Sequence, residues 1–509
     1  MTDVYIDLSN NQDGHRISTY NVTPYMILKY FQSLIRLHYA GPIQDEIVTL
    51  RESSTTTATD ERFRHQQLRY LTLQIYNTEG NLDLNYFIFA TPYIEKLRLN
   101  FESVKHTITP LLSSIFSNHH CPNLSTLVLA SDDKNDTQLT DHGQNLWVNA
   151  TAPKPSPQNS GSYSSICDTN SSSRLQHLVL YDPDEKHHTT IQQILRFIIP
   201  QSHQTLQTLD ILGAYKIHGR ETMEVLSQHI FPLLTRFYLV NGRRHNLMAY
   251  GSLQHFKTFA EHSVPNVVDF KLVGLDSDYN MELLQLATST KHLQELYLED
   301  CPEIASATLE FFFRRLGSSY NNRDTSCCRV TNNPHRSNNE HLRMVAPTDK
   351  SSYLLHQQRI RDNTKRRMTK VTFRNIPGVD FDVLQALFQE CYVEELTVHE
   401  CDGLDIEDVG KLLDTLPYND VTCIIPPRKL DLILTYYQPR FYFFASKVPV
   451  YPNSPRIQET LLKLDSSCME WRLGFKDFSQ LDNNNDNTNG EPIIQVYNHV
   501  EYRKQKIIN

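Results

Sequence analysis

A short apolar ladder recurs along this chain, and its recurrence restricts the fold more than any other feature. The template is an apolar residue, two variable ones, an apolar residue, one variable, then an apolar residue. It is met at Leu68/Leu71/Leu73, Ile94/Leu97/Leu99, Leu124/Leu127/Leu129 and Leu175/Leu178/Leu180. It returns at Leu206/Leu209/Ile211, Leu234/Phe237/Leu239, Val267/Phe270/Leu272, Leu293/Leu296/Leu298, Met368/Val371/Phe373 and Val393/Leu396/Val398. The opening positions lie 26, 30, 51, 31, 28, 33, 26, 75 and 25 residues apart. Seven of these nine gaps fall between 25 and 33, a spacing that chance apolar clusters do not hold. A fixed period of this size is the mark of a repeat array. A weaker copy begins at Leu34/Leu37, and Tyr418/Val421/Cys423 reads as a closing strand.

A helix-like segment is expected after each ladder. In "TTIQQILRFII" (189–199), Ile191, Ile194, Leu195 and Ile198 stand at i, i+3, i+4 and i+7. Residues 281–289, 307–316, 381–391 and 406–416 behave alike, and Asp405 is placed to cap the last of these. A strand and a helix per repeat, neither able to bury its apolar side alone, predict an α/β solenoid. Its parallel strands line the concave face and its helices the convex face of a curved right-handed superhelix.

Three stretches carry a further signal. "CPNLSTLVL" (121–129), "LQELYLEDCPEI" (293–304) and "VEELTVHECDGL" (393–404) resemble leucine-rich repeats of the ribonuclease-inhibitor-like, cysteine-containing type found in F-box/leucine-rich-repeat proteins. Cys301 and Cys401 both stand ninth from the first apolar position, where that family turns a Cys or Asn inward to satisfy backbone groups. The resemblance covers about residues 60 to 425. It implies a non-enzymatic protein that recognises a substrate for a cullin-type ubiquitin ligase through a Skp adaptor. No stretch opens near Leu-Pro-x-Glu-Ile/Leu as an F-box would, and residues 1–33 are too short and polar for that module. The alternative is a free-standing scaffold or regulator of the same repeat type.

The array is expected over residues 1–425, with disordered insertions at 131–173 and 317–367 and a capping region at 426–509. The first insertion is rich in Ser, Pro and Asn. In the second, Lys and Arg outnumber Asp and Glu ten to four. That loop reads either as a solvated face or, through "RIRDNTKRR" (359–367), as a localisation signal or acidic-partner site. The aromatic run "LDLILTYYQPRFYFFASKVPVY" (430–451) suits a cap, or alternatively a docking surface.

Chemistry is hard to find. The nine cysteines include no C-x-x-C pair, and the odd count without an entry signal favours reduced thiols in the cytoplasm or nucleus. The 22 histidines make no H-E-x-x-H, and neither a nucleophile elbow nor a phosphate-binding glycine loop occurs. No metal, cofactor or catalytic group is expected. A formal charge of −9 argues against wholesale nucleic-acid or membrane binding, and no apolar run approaches the ~18 residues of a membrane span.

Function is therefore expected on the variable ladder positions, which alternate away from the leucines. On successive repeats these are Arg236 and Tyr238, then Asp269 and Lys271, then Glu295, Tyr297 and Glu299. Lys370 and Arg374 follow, and after them Glu395 and His399. Tyrosine and arginine anchors among charges suit a protein partner on the concave face.

Overall fold

Leucines at every second position can be hidden only if the strands that carry them share one covered sheet face. A computed structural model of the chain shows that arrangement. It describes residues 2–7, 24–42, 64–76, 90–101, 115, 121–131, 174–181, 188–212, 219–240, 253–274, 280–290, 292–327, 366–415, 427–436, 455–467, 470–477 and 499–503. The chain divides into two compact units: Met1–Leu234 with Asn241–Arg243, and Thr235–Val240 with Arg244–Asn509. The break falls inside what the sequence reads as one array over 1–425.

The first unit holds β1 (Asp3–Asp7), α1 (Pro24–Tyr30), β2 (Arg36–Pro42), β3 (Tyr70–Tyr76), β4 (Lys96–Phe101) and β5 (Thr126–Ser131). It continues with β6 (His177–Tyr181), α2 (His188–Ser202), β7 (Thr208–Leu212) and α3 (Gly219–Ser227). Strands β1 to β7 pair in chain order, every pair parallel.

The second unit opens with β8 (Arg236–Val240) and α4 (Leu253–Thr258), which runs into a π-helical turn, Phe259–Ser263. Then come β9 (Asp269–Val273), α5 (Asn280–Ser289), β10 (Glu295–Glu299), α6 (Ser306–Cys327), β11 (Arg366–Arg374), α7 (Phe381–Glu390) and β12 (Cys391–His399). It closes with α8 (Ile406–Thr415), β13 (Lys429–Tyr436), α9 (Pro455–Ser467), β14 (Glu470–Asp477) and β15 (His499–Arg503). Strands β8 to β14 are parallel and in order, and β15 alone pairs antiparallel. Parallel neighbours need a crossover, and the strand–helix alternation supplies it.

The ladder residues are the core. Leu68, Ile94, Leu175, Leu206, Val267, Leu293, Met368 and Val393 are all fully buried. Phe237 packs against Phe259 of the π-helical turn at 4.9 Å and Phe270 of β9 at 5.7 Å. Phe313 of α6 meets Phe373 of β11 edge to face at 6.1 Å, so the helices lie on the ladder side of the sheet. Entry into many of the strands is also repeated: two successive N–H groups donate to one carbonyl of the preceding repeat. Gln294 and Glu295 bond Val268 O, and Val268 and Asp269 bond Thr235 O.

Cys301 is buried, and its Sγ donates to Glu299 O at 3.1 Å; Cys401 does the same to His399 O at 3.4 Å. Each thiol serves a carbonyl where the chain leaves a strand. Asp405 caps α8, its Oδ1 accepting from Asp408 N at 2.9 Å.

The sheet starts at β1, inside the expected 1–425, although only Val4 and Ile6 announce that strand. The supposed insertion at 317–367 is helical through Cys327 and a strand from Arg366. The apolar stripe of Phe312, Phe313 and Leu316 anchors α6, and extending an anchored helix costs far less than starting one. Arg366 is buried rather than solvated, its guanidinium donating to Thr290 O and Leu293 O at 2.9 and 3.2 Å. Within the expected capping region 426–509, Leu430, Leu432 and Leu434 continue the covered face, and β13 and β14 keep the parallel order. Residues 132–173, 328–365, the aromatic stretch 437–450 and the Tyr418/Val421/Cys423 strand lie outside the described residues. Among the described residues, no helix is long and apolar enough to cross a membrane.

Candidate protein-binding face

All eleven residues singled out from the sequence fall in the second unit, on the sheet face opposite the buried ladders. Strand register sets them in rows. One row runs Arg236–Asp269–Glu295–Lys370–Glu395, each opposite the next on a neighbouring strand, and continues into Lys429 and Glu470. The row beside it runs Tyr238–Lys271–Tyr297–Thr372–Thr397–Asp431–Arg472. In a third, Glu299, Arg374 and His399 are aligned on β10 to β12. Parallel register brings together residues from five separate repeats.

The tyrosines organise the first three strands. Tyr238 Oη donates to Asp269 Oδ2 at 2.5 Å, and Tyr297 Oη donates to Glu299 Oε2 at 2.5 Å. The Lys271 ammonium stands 4.2 Å from the Tyr297 ring centre and 5.9 Å from that of Tyr238. Arg236 lies 5.1 Å from the Tyr238 ring centre, and Arg374 lies 5.9 Å from that of Tyr297. Three cations thus alternate with two aromatic rings across β8 to β11, each pairing worth about 0.5–1 kcal/mol at an exposed site. Burial, then the bond to Glu299, holds the Tyr297 phenol above its usual range.

Further along, His399 Nε2 stands 3.1 Å from Asp431 Oδ1, off the line that a hydrogen bond needs. Arg472 approaches the other oxygen of Asp431 at 3.7 Å. Burial pushes the Asp431 carboxyl upward, but His399, Arg472 and Lys429 outweigh it and hold the group below its ordinary value. Thr372, almost fully buried on β11, has no partner for its Oγ1.

Lys429, Asp431, Glu470 and Arg472 are not among the residues that the sequence singles out, because residues 426–509 read as a cap. The Leu430/Leu432/Leu434 alternation was the signal available. The matching positions of the first unit, among them Arg36, Tyr70, Lys96 and Arg98, are not singled out either, although the same ladders mark them.

The arrangement offers rigid donors, acceptors and ring edges but no nucleophile beside a base. Burial pushes the Cys401 and Cys121 thiols up to about 12, which leaves them unreactive. Among the described residues, no group of three or more His, Cys, Asp or Glu side chains could hold a metal ion. No family model matches this sequence, and no curated protein matches it either.

Proposed function

We propose that this chain is a leucine-rich-repeat type solenoid that works without catalysis, gripping a protein partner on the polar sheet face of its second unit. The observation that carries the reading is the register: the Arg236–Asp269–Glu295–Lys370–Glu395 row is flanked by Tyr238, Lys271 and Tyr297. Alternating charges specify a partner by complementarity, and ring-clamped cations lose little entropy on binding. Tyrosine and arginine are the residue types that dominate interface energies. Cys301 and Cys401 at equivalent strand exits support the repeat type.

Affinity capture followed by mass spectrometry tests this, comparing the wild-type chain with the triple reversal Asp269→Lys, Glu295→Lys and Glu299→Lys. Circular dichroism verifies that the reversed protein is folded. Partners held by the wild type and lost by the folded reversal support the reading; an unchanged set overturns it. The ubiquitin-ligase role that the resemblance implies is a separate matter, tested by capture of the Skp adaptor.

A further inference from the structure

On the first unit's sheet the register puts carboxylates only on the border strands, Asp3 and Asp7 on β1 and Asp210 on β7, and the strands between them differ in charge. From β2 to β6 the outward positions are Arg36, His38 and Ala40; Tyr70, Thr72 and Gln74; Lys96, Arg98 and Asn100; Thr126, Val128 and Ala130; and His177, Val179 and Tyr181. They include three cations and two histidines but no carboxylate. On a chain of net charge −9, this is a local inversion of sign.

The three cations are grouped. Arg36 and Lys96 sit on either side of Tyr70 in one row, with Arg36 4.9 Å and Lys96 5.4 Å from its ring centre. Arg98 is two residues along β4 from Lys96, and its Nε donates to Asn100 Oδ1 at 3.1 Å, which fixes the plane of the guanidinium. Thr72 lies between His38 and Arg98 in the adjoining row, mostly buried. Strands stand about 4.8 Å apart and alternate side chains about 6.6 Å apart along a strand, so the three heads rise from a patch roughly 10 Å by 7 Å.

We propose that this patch on β2 to β4 binds a phosphomonoester carried on a partner's side chain, with Arg36, Lys96 and Arg98 as the cationic contacts. A carboxylate is filled by one arginine fork, whereas a phosphoryl group carries about −1.5 to −2 charge and three acceptor oxygens. Three cations on one patch match the second. The Lys96 ammonium is held below its ordinary value, by burial first and then by the field of Arg36, with Glu95 opposing. A dianion seated on the solvent side of the Tyr70 ring, within reach of both cations, opposes both effects. The nearest acid in register is Asp3 on β1, 3.9 Å from Arg36, and both side chains are largely exposed, a pairing that solvent screens and a dianion can displace. This site stands on the first unit and does not depend on the reading of the second.

The test uses the full chain and fluorescein-labelled peptides with a central phosphoserine or phosphothreonine, beside the same peptides unphosphorylated. Binding is read by fluorescence anisotropy. The phosphorylated set is expected to bind at least about tenfold tighter, and Arg36→Gln and Arg98→Gln each to remove about tenfold. Arg314→Gln serves as control: Arg314 pairs with Glu310 at 2.6 Å along α6 of the second unit, and its loss should leave binding unchanged. Equal binding of both peptide sets, or an equal loss in the control, would overturn the proposal. Two competitors separate the sources of phosphate. Inorganic phosphate displacing the peptides at matching affinity would show a site for the free ion, and a single-stranded oligonucleotide doing so would show a phosphodiester surface. Either result defeats the assignment to a partner's side chain.

Discussion

Tyr297 and Glu299 stand two residues apart on one strand, and the phenol donates to the carboxylate at 2.5 Å. Burial acts first and this bond second, raising the phenol above its ordinary value of 10.0. The folded protein therefore holds the proton more tightly than the unfolded chain. The resulting stability is complete below about pH 10 and is lost as pH rises toward the folded value. Tyr297→Phe removes that proton while keeping the ring beneath Lys271. Urea midpoints at pH 9, 10 and 11 should fall more steeply for the wild type than for the variant. Parallel slopes would show that the bond does not form.

The buried cysteines make a second prediction. With Cys401 and Cys121 pushed up to about 12 by burial, their thiolate content at pH 8 is roughly a thousandfold below that of an ordinary cysteine. Iodoacetamide labelling read by mass spectrometry should leave Cys121, Cys301, Cys391 and Cys401 unmodified in the native protein and modify all four in denaturant. Rapid native labelling of Cys301 or Cys401 would place that thiol outside the strand-exit turn.

The ladder was legible because hydrophobic burial repeats at a fixed interval, and Leu293, Leu296 and Leu298 are hidden as their spacing requires. The face positions were legible by the same alternation. What the spacing cannot convey is pairing across repeats. Nothing local in Arg366 distinguishes it from the neighbouring arginines, yet it fills backbone carbonyls of a segment more than seventy residues earlier. The same holds for Asp269, whose tie to Tyr238 depends on register between strands 31 positions apart. β1 was missed because five residues hold too few alternations to show a period.

Helix caps allow a third measurement. Asp405 was readable as a cap from its place before an acidic first turn. Asp380 carries a double duty: Oδ1 accepts from Val383 N at 3.0 Å, and Oδ2 accepts from the Ser306 hydroxyl at 2.5 Å. Asp405→Ala should cost about 1 kcal/mol in urea unfolding, and Asp380→Ala about 2 kcal/mol, since a part-buried hydroxyl also loses its acceptor. An equal loss at both positions would mean that the Ser306 bond contributes nothing.

The turns that follow β9 to β12 call for substitutions of opposite sign. Gly274, Asp300, Asn375 and Glu400 occupy equivalent places there with φ of 73°, 50°, 49° and 56°, and each N–H donates to the next strand. Left-handed backbone costs a residue with a Cβ about 1–2 kcal/mol. Glycine at that place relieves the strain but loses about 0.5–1 kcal/mol to its freedom in the unfolded chain. Glu400→Gly should therefore raise stability, by up to about 1 kcal/mol. A little further along the turn the geometry reverses. A Cβ on Gly378 would lie 2.1 Å from Ile304 O, and one on Gly403 would lie 2.5 Å from Val379 O. Both obstacles are backbone of the preceding repeat, which cannot swing aside as a side chain can. Gly378→Ala and Gly403→Ala should each lose about 1–3 kcal/mol. Urea unfolding of the three variants decides: a stabilised alanine variant would mean that neighbouring repeats do not stack as closely as these contacts require, and a destabilised Glu400→Gly would mean that the left-handed turn costs Glu400 less than glycine's freedom.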